Sequence, residues 1–264
     1  MRNVLSTAPV QLPCVSHAGR EQRLNLAESF GLPSGAGAEL GGAIWPAAAL
    51  MCRWLASERE NIAGARVIEL GSGTGACGLY AAALGAKHVT LTDGGGPALL
   101  RLLEANIETN QHLFASDCRV NTHRLFWGDI EDSCLAAADV DETHYDYVLA
   151  ADVLYGIGEA DAAADAVARG AALAATMEAL LLCSSAAARP PRVIVAYEHR
   201  CRELRGSLPW DAGDEVLENF FGALARRGLG VQEVASERPR LLSSSSGVNL
   251  FSADLVLFEV LAAS

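Results

Sequence analysis

The chain has 264 residues, 51% hydrophobic and 20% charged, which is enough to fill the core of one large domain and excludes a disordered chain. Its formal net charge of −12 excludes a nucleic-acid footprint over the whole surface, because an acidic domain repels phosphate. No apolar run approaches the ~20 residues of a membrane span, and residues 1–6 lack the long apolar stretch of a signal peptide. A cytoplasmic or nuclear protein that touches no membrane is therefore expected. Solubility explains the acidity most simply, and a basic protein partner would also suit it.

Residues 1–40 are weakly patterned and read as an N-terminal elaboration ahead of one domain over 41–264. Within them, residues 23–30 alternate like a strand and 31–37 read as a turn. Residues 46–58 look helical, with Pro46 in the first turn. From there the rhythm is regular. Residues 66–70 form a short apolar strand ending in glycines, followed by a helix through Leu84 closed by Gly85. Residues 88–93 are a second strand. Residues 97–110 are a helix with Leu99, Leu100, Leu102, Leu103 and Ile107 on a broad face. Residues 118–126 and 145–151 are the third and fourth strands. Residues 158–183 are Ala-rich and helical by propensity. Residues 193–197 are the fifth strand, and 214–227 an amphipathic helix stopped by Gly228.

Strands alternating with helices imply parallel strands joined by crossovers. The end breaks that rhythm: 229–234 and 254–260 are strand-like, with a polar loop at 240–247 between them, and such strands pair antiparallel. The expected fold is α/β, a doubly wound Rossmann-like seven-stranded sheet, mostly parallel, with a C-terminal antiparallel β-hairpin.

The strongest chemical signal is Glu69-Leu70-Gly71-Ser72-Gly73-Thr74-Gly75-Ala76, between a strand and a helix. Its three glycines let backbone approach a ligand beside a helix N-terminus; a plain strand-to-helix turn needs one or two. Gly71, Gly73 and Ala76 also satisfy the G-x-G-x-x-A dinucleotide fingerprint. Asp93 ends the second strand 18 positions after Gly75, where a carboxylate accepts both ribose hydroxyls of a nucleoside. These two features do not separate NAD from S-adenosylmethionine.

Trp127-Gly128-Asp129 offers a flat face and an acceptor for adenine, although Trp127 would equally plug the sheet edge. Asp152-Val153-Leu154-Tyr155 follows the fourth strand, and ligands of open parallel sheets bind outside the carboxyl ends of the strands. A helix cap for Asp152 and plain packing for Tyr155 are the alternatives. Trp45 precedes the sheet and reads as a lid or a core residue.

Taken together these residues resemble the class I, seven-β-strand S-adenosylmethionine-dependent methyltransferases. More narrowly, they are similar to methyltransferase family 16, mostly protein-lysine methyltransferases of chaperones, elongation factors and related targets. The segments that carry the likeness are residues 44–48, 69–75, 91–93, 106–110 (Asn106-Ile107-Glu108-Thr109-Asn110), 127–129 and 152–155. The Asp-x-x-Tyr run is the branch's own signature, and Tyr197-Glu198-His199-Arg200 also looks like the branch. The resemblance makes 41–264 a class I methyltransferase domain and implies the cofactor S-adenosyl-L-methionine, released as S-adenosyl-L-homocysteine. It implies that Glu69, Gly71, Gly73 and Gly75 line the methionine part, Asp93 holds the ribose, and Trp127 with Asp129 the adenine. Ala150 and Ala151 would border the cofactor, Trp45 would close it, and Asp152 and Tyr155 would face the incoming amine. The implied partner is a protein substrate, such as a chaperone or translation factor. Gly41 and Gly42 depart from the threonine that the family often has near its lid tryptophan.

A lysine nucleophile must lose a proton before it attacks, and a partly desolvated pocket lowers its pKa from ~10.4. Asp152 is expected to attract and orient it, and Tyr155 to wall it by cation–π contact. Positioning of this kind is worth up to ~7–11 kcal/mol. Another acceptor (protein histidine, small molecule or nucleic acid), an NAD(P)-dependent oxidoreductase and a non-catalytic adapter remain as alternative readings. The seven cysteines are widely spaced without a CxxC pair, so reduced buried thiols are expected. No metal site is expected among the scattered histidines, and His199 reads as a surface or capping residue.

Overall fold

Period-two alternation fills both faces of a central sheet. In the computed structural model, which describes residues 11–17, 20–28, 40–129, 144–155, 162–183, 189–199, 214–237, 241–242, 250–251 and 255–262, the elements follow in chain order. A small antiparallel pair, β1 (Val15–His17) and β2 (Arg20–Gln22), comes first, then α1 (Pro46–Ser57) and α2 (Arg59–Ile62). The core of the fold is β3 (Arg66–Leu70), α3 (Ala76–Ala83), β4 (His88–Asp93), α4 (Pro97–Asn110), β5 (Arg119–Arg124), β6 (Tyr147–Ala151), α5 (Ala162–Cys183) and β7 (Arg192–Glu198). The chain ends with α6 (Glu215–Ala225), β8 (Leu229–Glu237), the short pair β9 (Leu241–Leu242) and β10 (Leu250–Phe251), and β11 (Leu255–Ala262).

Seven strands form one sheet in the order β5-β4-β3-β6-β7-β11-β8. Strands β3 to β7 are mutually parallel, β11 is antiparallel to β7, and β8 is antiparallel to β11. This is the doubly wound sheet with a terminal hairpin that the alternation of elements implies. On β3, Val67 packs into one core with α1 and α3, while Ile68 and Leu70 pack into the other with α5 and α6. On β6, Leu149 and Val148 divide in the same way. The edge strand β5 reads Arg-Val-Asn-Thr-His-Arg and is largely exposed; its polar side chains discourage pairing with another chain.

Several expectations are corrected. Of the strand expected over 23–30, residues 23–28 form none, and the backbone groups of Asn25 and Ala27 are taken by Asn110 and Asn106 of α4; residues 29–30 lie outside the described residues. The third and fourth strands are shorter than read, at Arg119–Arg124 and Tyr147–Ala151, and both hairpin strands run longer. Asp165–Cys183 of α5 is long and apolar enough by length and composition to cross a membrane, with a mean hydropathy of 1.5. The sequence count missed it because Arg169 and Glu178 interrupt the run. In this fold its Leu173, Ala174, Met177, Leu180 and Leu181 are buried against the sheet. Of the described cysteines, all free, Cys52 and Cys77 are buried, Cys14 and Cys118 half-buried and Cys183 exposed. The turn at 31–37, residues 158–161 of the Ala-rich helix, most of the loop at 240–247, Cys134, Arg200 and Cys201 lie outside the described residues.

Candidate active site

The order of strands builds the crevice. From β3 the chain steps outward through β4 to β5, then returns to β6 on the other side of β3. That reversal leaves a gap outside the carboxyl ends of β3 and β6, the place where open α/β sheets bind ligands. Residues 71–75 leave β3 there, Asp93 closes β4, Trp127 follows β5, and Asp152 to Tyr155 leave β6.

The glycine loop carries side chains only at Ser72 and Thr74, both buried. Gly71, Gly73 and Gly75 have φ of 68°, 53° and 82°, values that L side chains rarely adopt. A Cβ on Gly73 would lie 2.6 Å from the carbonyl oxygen of Gly41, and one on Gly71 2.8 Å from Val153 Cγ1 and 3.1 Å from Trp127 Cζ2. The loop therefore has the segment before α1 on one side and Trp127 with Val153 on the other. The segment before α1 includes Trp45, half-buried at the N-cap of α1.

Asp93 holds the loop from the neighbouring strand. Its Oδ2 accepts from the Gly73 amide at 2.9 Å and its Oδ1 from the Gly95 amide at 2.8 Å. A carboxylate has about four acceptor positions, so about two remain for a diol. Glu69 acts behind the loop. It is 2% exposed, and its Oε2 accepts from the Gly78 amide of α3 at 2.8 Å. Burial pushes its carboxyl up to about 7, against the opposing hydrogen bonds from Gly78 and Cys77. Its place is thus against α3, supporting the floor that the sequence reading has it line.

Trp127 is half-buried against the core on the α5 side. Gly128, with φ 86°, donates its amide to Thr176 Oγ1 of α5 at 3.0 Å, which fixes the turn that presents the indole. Asp129 is exposed, open to a ligand from solvent. Beside it Phe126 is 52% exposed, with the Arg124 guanidinium 4.7 Å from its ring centre.

At the end of β6, Ala150 is buried and Ala151 half-buried. Asp152 has φ 55° and is the one non-glycine with positive φ among the described residues. Its amide donates to the Ala196 carbonyl of β7 at 2.8 Å, and the residue is 6% exposed. Left-handed backbone at a non-glycine residue stores strain that clusters at functional sites. Tyr155 follows, half-buried, with the Arg169 guanidinium 5.0 Å from its ring centre. Burial raises its phenol pKa; Arg169 works against that, and the charges of Asp93 and Asp152 add to it. Asp93, Asp152, Tyr155 and Arg169 thus share one electrostatic neighbourhood.

Arg169 is absent from the sequence reading. It projects from α5, paired with Asp165 at 3.3 Å one turn earlier. An isolated arginine in an Ala-rich helix was the available signal, but it does not say which way the helix turns. Of the surface and capping readings of His199 the structure overturns the first: it is 9% exposed, and its Nδ1 lies 3.3 Å from Oδ2 of Asp214, the N-cap residue of α6, which also accepts from the Tyr197 hydroxyl at 3.0 Å. Among the described residues no group of three or more His, Cys, Asp or Glu is placed to hold a metal ion.

The site's residues fall within a stretch with known relatives. The family model described as lysine methyltransferase matches residues 29–204. Protein-lysine methyltransferase METTL21E of Bos taurus is 36% identical over 140 residues, 52% of this chain and 43% of that protein. Protein N-lysine methyltransferase METTL21A of Danio rerio is 38% identical over 112 residues, 42% of this chain and 47% of that protein. EEF1A lysine methyltransferase 3 of Xenopus tropicalis is 35% identical over 121 residues, 45% of this chain and 48% of that protein. The chain thus spans less than half the length of each of these relatives.

Proposed function

The chain belongs to the lysine methyltransferase family, and from that premise we propose that it transfers a methyl group from S-adenosylmethionine to a lysine side chain of a protein. The observation that carries the proposal is the glycine cradle held by Asp93 at the switch point, with Asp152 and Tyr155 leaving the adjacent strand β6. A floor with three left-handed glycines, a carboxylate with acceptor positions to spare and an indole at the edge fit a nucleoside bearing an extended tail. The names of the relatives support lysine as the acceptor, and EEF1A lysine methyltransferase 3 supports a translation factor as the kind of substrate.

When bound, S-adenosylmethionine supplies a methyl group activated by its sulfonium charge. Gly71, Gly73 and Gly75 would hold its amino-acid part, Asp93 its ribose, and Trp127 with Asp129 its adenine. Trp45, three residues past the Gly42 turn, would close the cradle. The remaining task belongs to the chain: present a neutral amine and keep water away. An ammonium has no lone pair. Asp152, buried and set at the mouth by its left-handed backbone, attracts the lysine and orients it. Tyr155 is a neutral phenol, whose pKa burial raises further, and it walls the approach with an aromatic face. Arg169 on that ring places a second cation near the incoming one, which favours the neutral amine. A reducing compartment, cytoplasmic or nuclear, suits the buried thiols Cys52 and Cys77 and forms part of the same proposal.

Calorimetric titration with S-adenosylhomocysteine, with NAD as the control, tests the reading. Binding of the first and not the second is expected; the reverse would overturn the methyltransferase assignment for this pocket.

A further inference from the structure

Asn106 and Asn110 lie one turn apart on α4 and face the same way, 1% and 0% exposed. The chemistry above uses neither. Asn110 Oδ1 accepts from the Asn25 amide at 2.8 Å and its Nδ2 donates to the Asn25 carbonyl at 2.9 Å. Asn106 repeats the pattern one step along, with Oδ1 accepting from the Ala27 amide at 2.8 Å and Nδ2 donating to the Ala27 carbonyl at 3.1 Å. The two side chains thus replace a neighbouring strand for residues 25–27. Asn106 does one thing more: its Nδ2 also donates, at 2.9 Å, to the carbonyl of Thr74, between the two left-handed glycines Gly73 and Gly75. Thr74 is 2% exposed, so little water is at hand to replace that donor. At the end of the strap, Glu28 Oε1 accepts from the Ile44 amide at 2.7 Å, next to Trp45.

We infer that Asn106 is a positioning residue for the cofactor loop: it clamps residues 25–28 to the Thr74 carbonyl and so holds the glycine cradle in the shape that receives its ligand. The strap then belongs to the working site, since it joins α4, the loop and the Trp45 segment in one closed set of contacts. This rests on the reading that the loop takes S-adenosylmethionine. Asn110 is the internal control, because it fastens the same strap without touching the loop.

The experiment is calorimetric titration of the 264-residue chain with S-adenosylhomocysteine, well below the melting temperature, for wild type, Asn106→Ala, Asn106→Asp and Asn110→Ala. Asn106→Ala and Asn110→Ala should both lower Tm, because both loosen the strap. Only the Asn106 variants should weaken binding, by about tenfold, the size of one buried hydrogen bond; Asn110→Ala should stay within about twofold of wild type. Asn106→Asp keeps an acceptor for the Ala27 amide but offers no donor to Thr74, so it should follow Asn106→Ala; it also serves if the alanine variant does not fold. Wild-type affinity in the Asn106 variants, or an equal loss in Asn110→Ala, overturns the inference alone. No binding by wild type overturns the cofactor reading and the inference with it.

Discussion

The carboxylate of Asp93 accepts a 2.9 Å hydrogen bond from the amide of Gly73, so the end of β4 is fastened to the middle of the loop that leaves β3. One residue therefore shapes the floor of the crevice and keeps acceptor positions free above it. Replacing Asp93 by alanine should weaken S-adenosylhomocysteine binding by about 100-fold, because hydrogen bonds to a charged group contribute ~1.5–3 kcal/mol. Asp93→Asn should fall between. Titration calorimetry reads both, and unchanged affinity in the alanine variant would remove Asp93 from the site.

Gly73 is where close approach is least forgiving. Its φ is 53°, and an added Cβ would meet the Gly41 carbonyl oxygen at 2.6 Å, a backbone atom that cannot turn aside. Gly64 also has a positive φ, 78°, but nothing lies within 4 Å of its Cβ position. Gly64→Ala should cost only the conformational strain, ~1–2 kcal/mol, and leave binding intact. Gly73→Ala should destabilise more and abolish binding of S-adenosylhomocysteine. Denaturant unfolding and calorimetry on the same samples check both; equal behaviour of the two variants would contradict the clash.

What the sequence shows and what it hides follow from the reach of each interaction. The strands Arg66–Leu70 and His88–Asp93 appear with the bounds that were read, because a buried parallel strand is a short apolar run between turns. Asp93 meets the glycine loop because neighbouring parallel strands end side by side. The strap at 23–28 was misread as a strand because its partners, Asn106 and Asn110, lie 79 and 85 positions away and are side chains, to which no periodicity points. Arg169 was not legible because a helix of 22 residues rich in alanine does not say which face meets Tyr155. His199 looked superficial because its partner Asp214 arrives from the start of another helix.

Glu69 sets a pH dependence of stability. Burial raises its native carboxyl to about 7 from an ordinary 4.5, so the folded chain holds that proton more tightly than the unfolded chain. Its contribution is full below about 4.5 and is lost as pH rises through about 7. The wild type should therefore lose stability relative to Glu69→Gln across this window, by up to ~1.4 kcal/mol per pH unit. Asp214 works elsewhere on the scale. Burial alone would raise its carboxyl, but hydrogen bonds from His199, the Leu217 amide and Tyr197 hold it below 3.8. Its contribution is present above 3.8 and lost only as pH falls through that lowered value. Urea titrations of both proteins at pH 5, 6 and 7 decide the Glu69 case, and parallel profiles would contradict it.

Asp152 and Tyr155 should separate turnover from cofactor affinity. Asp152→Asn keeps a residue type tolerant of φ 55° and removes the charge; kcat should fall about 100-fold while S-adenosylhomocysteine affinity stays within about threefold. Tyr155→Phe keeps the aromatic wall beneath Arg169 and should stay within about threefold of wild type, whereas Tyr155→Ala removes the wall and should lose about tenfold. Single-turnover methyl transfer and calorimetry measure the two quantities independently. Full activity in Asp152→Asn and in Tyr155→Ala would strip these residues of their roles.

The most direct measurement is transfer of labelled methyl from S-adenosylmethionine to a protein extract, with wild type and Asp93→Ala side by side, followed by mass spectrometry of the labelled band. The expected result is a labelled protein carrying methyl-lysine with wild type and none with the variant. Label on a nucleic acid, a small molecule or a different side chain, or no label from a wild-type protein that binds S-adenosylhomocysteine, would contradict protein-lysine methylation.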